Sequence, residues 1–491
     1  MNINRVFRNS ALAALLSAAC LGVAARGVNA QASTTVFTSQ IIYQNPSNSS
    51  GALTATFYPV LNGTPSATVS IPVAIPAHGS GSILVGSVAG LAANFKGSAV
   101  LSADFDVVAS TIQIPSVNTT NRILATGFRS GDGTSDLYLP TFLNGAFNAK
   151  SVLAVQNIES VSVDITATFI PASGSNVVIS ATIPANASRF FDSRDATTIP
   201  GIPANFNGSV RVTAVRSGSA TPGLVVGTAE EYFTTDGRAY GYEAVPLASA
   251  ASTVYLPTAL CGYAPASQNA TSVFAFQNTS SFTVTAVVHW LDTTNTEVGS
   301  QTFADIGPNA KKSINPCNAA GVPNPGFLGS GYISVGSGGK GVVVAKVSAT
   351  VPGYQTGFLG QGQGAAKLAF PYMRYRATPQ APGDIASSVS VQNIGAAIPA
   401  GQITVTFYDL NGNVVRTGVT NATLGSGSKF SVGLGTVTNA QLTMSGAVPA
   451  TAFEGSMIVT GPAGSSLIAV SRHQQLDYLF WTEDYNGVFI P

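Results

Sequence analysis

A chain that repeats itself with a period of more than one hundred residues must solve the same folding problem several times, and this one does so four times. A short apolar run ending in Gln-Asn occurs at Ile41-Ile42-Tyr43-Gln44-Asn45, Leu153-Ala154-Val155-Gln156-Asn157, Phe274-Ala275-Phe276-Gln277-Asn278 and Val389-Ser390-Val391-Gln392-Asn393. The glutamines stand 112, 121 and 115 residues apart, which is a domain-sized spacing. An alternating run follows each one, Thr54–Tyr58, Thr166–Phe169, Thr285–Trp290 and Thr404–Tyr408. A second anchor, Phe-x-Gly-Ser, opens a Val-rich run at Phe95, Phe206, Phe327 and Phe453. A third is a strand ending in proline, at Leu137–Pro140, Val254–Pro257, Leu368–Pro371 and Val488–Pro491.

Within each copy, runs of five to eight residues rich in Val, Ile, Thr, Phe and Tyr alternate with period two between Gly, Pro, Asn and Ser. No window of a dozen residues holds a capped 3.6-residue stripe, so helices should be few and short. Asn62-Gly63 and Asn411-Gly412 supply the left-handed backbone of tight hairpins. Some seven strands per copy predict an all-β chain of four tandem immunoglobulin-like β-sandwich repeats, over 31–135, 136–252, 253–366 and 367–491. The succession of anchors resembles the tandem β-sandwich repeats of secreted and cell-surface proteins in Chloroflexota and related bacteria. That resemblance implies export and a surface-structural role, and it brings no catalytic residues with it.

Residues 1–30 read as a signal peptide. Arg5 and Arg8 precede the apolar stretch Ala11–Ala25, and Val28-Asn29-Ala30 places small residues at a cleavage site. No later stretch is long and apolar enough for a transmembrane segment. Charged residues are only 9 % of the chain, far below the ordinary share of about 25 %. With 22 basic and 21 acidic side chains and three arginines in the leader, the remainder is slightly acidic and offers no field for nucleic acid. Cys20 leaves with the leader, and Cys261 and Cys317, both in the third repeat, are expected to form a disulfide in an oxidising compartment.

The search for chemistry finds structural explanations. His78, His289 and His473 occupy non-equivalent positions, so they predict no shared metal site. Glu230-Glu231 and Glu483-Asp484 are strand neighbours that point to opposite faces and cannot converge on one bond. Asp132-Gly133 and Asp409–Asn413 look like calcium loops but lack the acidic twelfth position, and read as turns. No catalytic, cofactor or metal residue is expected, and the chain is not read as an enzyme. Aromatic residues after Pro371 and near the C-terminus, Tyr372, Tyr375, Trp481 and Tyr485, could stack on sugars or fill joints between repeats.

The expected function is that of an exported extracellular structural protein assembling with itself or with other surface proteins into a surface layer, sheath or filament. The alternative is a cell-surface adhesin or carbohydrate-binding array with glycan partners. Strand counting sharpens the first reading. Repeats two to four are each preceded by a proline strand, whereas cleavage after Ala30 leaves repeat one without room for it. Val488, Phe489, Ile490 and Pro491 then either complete repeat one of the next subunit or close their own repeat.

Overall fold

The computed structural model describes residues 34–117, 121–264, 269–350, 353–376, 385–435, 441–450, 452–475 and 482–491. The molecule is all-β, with 58 % strand and 4 % helix, the latter in short 3-10 turns such as Val85–Ser87 and Pro316–Asn318. Among the described residues no helix is long and apolar enough to cross a membrane.

The Gln-Asn strands are Phe37–Gln44, Ala149–Asn157, Thr271–Asn278 and Ile385–Asn393. Each is flanked by a short strand (Ser80–Leu84, Ser188–Asp192, Lys311–Ile314, Lys429–Gly433) and a long one (Val108–Pro115, Val225–Phe233, Gly341–Thr350, Leu467–Gln475). On the far side of the long strand sits a central strand: Ile123–Thr126, Ala239–Glu243, Gly353–Leu359 or Thr482–Asn486. This four-stranded order is the same in all four segments, because the alternating apolar pattern buries one face of each strand and so fixes its register.

A second layer packs over each Gln-Asn sheet, and in the second segment the pairing of Asn144 with Lys150 joins the two layers into one nine-stranded sheet. The middle pair of the second layer is the alternating strand (Leu53–Pro59, Val163–Pro171, Val284–Leu291, Thr404–Asp409) and the Gly-Ser strand (Gly97–Ala103, Phe206–Arg216, Phe327–Val335, Phe453–Thr460). In the last three segments the proline strand, Asp136–Asn144, Thr253–Cys261 or Lys367–Tyr375, is added to the other edge of the Gly-Ser strand. Each ladder shifts register at the proline, which has no N–H to give it.

Contacts between segments run from first to second, second to third, third to fourth and fourth back to first. The four central strands meet neighbour to neighbour in the same cyclic order. The chain therefore closes on itself, and the proline strands of the last three segments each lie on the Gln-Asn sheet of the segment that follows in the cycle.

Two expectations need correction. At Asn62-Gly63 the left-handed residue is Leu61, with φ 54°, while in the fourth segment Gly412 holds the position with φ 81°. More important, Val488–Pro491 is not a fourth proline strand. Val488 and Phe489 pair with Ala369 and Leu368, as Val245 pairs with Tyr138 and Gln361 with Tyr255. The residues just before them, Gly487, Ala244 and Gly360, each donate their N–H to the equivalent carbonyl of Ala469, Gly227 and Val343. The C-terminal strand thus occupies the closing position of its own segment, and the described residues hold three proline strands.

Candidate functional site

Among the described strands, the Gly-Ser strand of the first segment, Gly97–Ala103, pairs with Leu53–Pro59 alone. Among the described residues nothing lies along its other edge, where the remaining segments carry a proline strand. The consequence is visible in the core. Val210, Val212 and Ala214 of the second segment are buried, whereas their equivalents Ala99, Leu101 and Ala103 are half-exposed. The first-segment core holds seven fully buried apolar residues, Ile41, Tyr43, Leu53, Ala55, Phe57, Ile75 and Ile83, ringed by half-buried ones.

Beside this edge runs a cleft of about 950 Å³. One wall is Ala99, Leu101 and Phe105 with Phe57 and Ile41 behind them, and the other belongs to the second segment, with Val152, Gln156, Phe190 and Tyr232. Gln156 records the same defect. The four Gln side chains all reach toward the preceding segment or their own adjoining turn: Gln44 Nε2 to Ser456 Oγ at 2.9 Å, Gln277 to the Val210 and Asn309 carbonyls, Gln392 to the Gly427 carbonyl, Gln156 to the Asn186 carbonyl. Gln44, Gln277 and Gln392 are wholly buried, and Gln156, which faces the cleft, is half-exposed.

Polar groups line the second-segment wall. Glu230 is bonded by Gln113 and Tyr232, and burial raises its carboxyl above the usual range. Its equivalent in the third segment is Lys346, whose ammonium holds Thr141 Oγ1 of the second segment's proline strand at 3.1 Å and pairs with Glu231 at 2.8 Å. The Glu230-Glu231 neighbours point to opposite faces and serve different segments. Glu483 and Asp484 likewise divide, Glu483 toward Arg122 and Asp484 clamped by Arg472 at 2.9 and 2.7 Å.

The other sequence candidates are placed as follows. Cys261 and Cys317 form the disulfide, with Cα atoms 5.2 Å apart. Tyr372 and Tyr485 are buried in the fourth-segment core, where the Tyr485 hydroxyl donates to the Tyr372 carbonyl at 2.8 Å, so neither can present a ring face to a sugar. That removes the sugar-stacking alternative for these two, and their cluster also holds Ile42, Ile112 and Leu124 of the first segment. Tyr375 is half-buried against the same core, and Trp481 lies outside the described residues. His473 is buried between Ser387 and Ser471, His289 faces Glu297 at 3.1 Å, and His78 stacks on Tyr408. Asp409 accepts from the N–H groups of Asn411 and Asn413, which makes it a turn. Among the described residues no three His, Cys, Asp or Glu side chains gather where they could hold a metal.

Sequence reasoning did not find the second-segment wall, since Gln156, Phe190 and Glu230 reach the cleft through the packing of segments. The closing strands did leave a signal. Tyr242-Glu243-Ala244-Val245 and Tyr485-Asn486-Gly487-Val488 share a small residue before the closing valine.

No family model and no curated protein matches the chain. Among solved structures, the crystal structure of Thermotoga maritima 1070 aligns at 16 % identity over 23 % of this chain and 96 % of its own, with a TM-score of 0.18. The viral chemokine binding protein R17 encoded by rodent gammaherpesvirus Peru aligns at 6 % identity over 76 % of this chain and 90 % of its own, at 0.14. Neither likeness is close enough to carry an argument.

Proposed function

We propose that this chain is an exported extracellular structural protein, four copies of one immunoglobulin-like sandwich, that works by assembly into a surface layer, sheath or filament. One observation supports the reading: among the described residues no strand lies along the sheet edge beside the apolar cleft of the first segment, while the three equivalent edges are each filled by a strand. An open edge offers a row of backbone donors and acceptors, and the apolar floor beside it rewards coverage, so a strand from another chain satisfies both at once. The low charge fits this use, because there is little repulsion to hold neighbouring copies apart.

Electron microscopy and light scattering on the purified, processed chain test it. Regular polymers, or a mass that rises with concentration, are expected. Scattered monomers at every concentration and ionic strength would overturn it.

A further inference from the structure

We propose that the first-segment cleft is a strand-acceptor site that takes an extended segment of another protein chain, with the pattern bulky apolar, any residue, bulky apolar, Pro, then a hydroxyl or basic residue. This rests on the assembly reading and concerns its partner side, the other surface proteins that join the chain, because the matching strands of this chain are engaged in their own segments.

The three filled edges define the occupant. Leu139, Tyr138 and Leu137 lie opposite Val210, Arg211 and Val212. Leu256, Tyr255 and Val254 lie opposite Gly331, Tyr332 and Ile333, and Phe370, Ala369 and Leu368 opposite Met457, Ile458 and Val459. Counted from the phenylalanine of each Phe-x-Gly-Ser anchor, the registers are identical, and in the first segment they fall on Ala99, Val100 and Leu101. The middle residue of each trio is also paired from its other side, by Val245, Gln361 or Val488. Gly127 donates to the Ala109 carbonyl just as Gly487 donates to Ala469, so Phe128, which lines the cleft, is the waiting closing residue.

Side-chain direction sets the specificity. Leu137 and Leu139 enter the core of their own segment, and Tyr138 turns outward to pack with Val342 of the next. In the cleft the first and third residues of the incoming trio meet the half-covered core around Phe57 and Leu101, and the second meets the second-segment wall. After the proline, Thr141 is held by Lys346. Glu230 stands in the place of Lys346 and reverses its sign, which selects a donor at that position.

At the second segment's spacing, the chain's own residues make a poor filler. The strand 136–144 lies ahead of its Gln-Asn strand as 24–32 lies ahead of Phe37, and 24–32 reads Ala-Ala-Arg-Gly-Val-Asn-Ala-Gln-Ala, with Val28 its one branched apolar side chain. The C-terminal strand is engaged on Ala369 and Leu368.

The test uses the processed full chain and synthetic peptides. The peptide of residues 136–144, labelled for anisotropy, is expected to bind saturably. A version with aspartate at both leucines corresponding to Leu137 and Leu139 should bind at least about tenfold more weakly, the loss expected when buried apolar anchors are removed. Lysine after the proline should tighten binding, and Glu230→Gln in the chain should remove that gain. Grafting 136–144 in place of 24–32, retained on the chain, should fill the cleft in cis, raise the unfolding temperature and abolish peptide binding. No binding by the native peptide together with no stabilisation by the graft overturns the proposal. Tighter binding by peptides of 24–32 or 483–491 overturns the assigned occupant. A chain that binds the peptide yet never polymerises keeps the acceptor and sinks the assembly reading, whereas polymer formed by the grafted chain sinks the acceptor as the joint.

Discussion

The repeated residues each solve one physical problem four times. Asn45, Asn157, Asn278 and Asn393 end their strands with a buried carboxamide whose Nδ2 donates to three carbonyls; for Asn157 these are Val161 at 2.7 Å and Ile183 and Pro184 at 3.0 Å. The Oδ1 accepts the N–H two residues on, as from Glu159 at 2.9 Å. Replacing Asn157 with Asp leaves carboxylate oxygen against carbonyls, and the expected loss is about 3 kcal/mol in urea unfolding. The glycine of Phe-x-Gly-Ser is equally constrained. A Cβ on Gly97, Gly208, Gly329 or Gly455 would lie 2.0 to 2.2 Å from a carbonyl oxygen of the alternating strand and under 3 Å from the anchor phenylalanine. Gly208→Ala should therefore cost about 1–3 kcal/mol, and Gly131→Ala, which has open space, should cost almost nothing. His473 gives a pH signature. Burial, with the Arg374 charge adding to it, lowers its pKa to about 3. The unfolded chain binds this proton near pH 6.5 and the folded chain does not until about pH 3, so stability is lost as pH falls through that window. The slope from this group should approach about 1.4 kcal/mol per pH unit, and it should vanish in His473→Gln relative to wild type.

At the scale of elements, ownership of strands is what matters. The proline strand is edge-tolerant because its one missing N–H falls at the bulge, and its flanking trio restores the ladder. Its closing partner is short, yet Val488 and Ile490 are buried against Val108, Ala369 and Ile458. Deleting Gly487–Pro491 should therefore destabilise the fourth segment, seen as a lower first unfolding transition in calorimetry. An unchanged thermogram would show that the strand does not close its own sheet. The disulfide ties the end of the third segment's proline strand to the turn after Lys311–Ile314 across 56 residues. Closing such a loop stabilises by about 4 kcal/mol in the chain-entropy model, so Cys261→Ser with Cys317→Ser should lower the third-segment transition selectively.

At the scale of the whole molecule, the first and fourth segments hold the cycle shut. His78 stacks on Tyr408 at 4.6 Å, Ser80 N–H donates to the Leu410 carbonyl at 3.1 Å, and Arg129 donates to the Phe489 carbonyl at 2.6 Å. Gly412, at positive φ, sits so close to Ala77 that a Cβ would lie 1.9 Å from its carbonyl oxygen. Gly412→Val is expected to break this contact and enlarge the radius of gyration in X-ray scattering without loss of strand signal. An unchanged radius would show that the junction is held elsewhere. The sequence by itself determined the strands, the fourfold recurrence and the cysteine pair, because these follow from local period, turn chemistry and counting. Only the tertiary structure decided that Val488–Phe489 closes its own sheet, that Tyr372 and Tyr485 are core, and that Gln156, Phe190 and Glu230 wall the open edge. Those outcomes depend on which sheet a short strand joins and which segment faces which. Both are settled by packing between residues more than one hundred positions apart, which period and spacing along the chain do not encode.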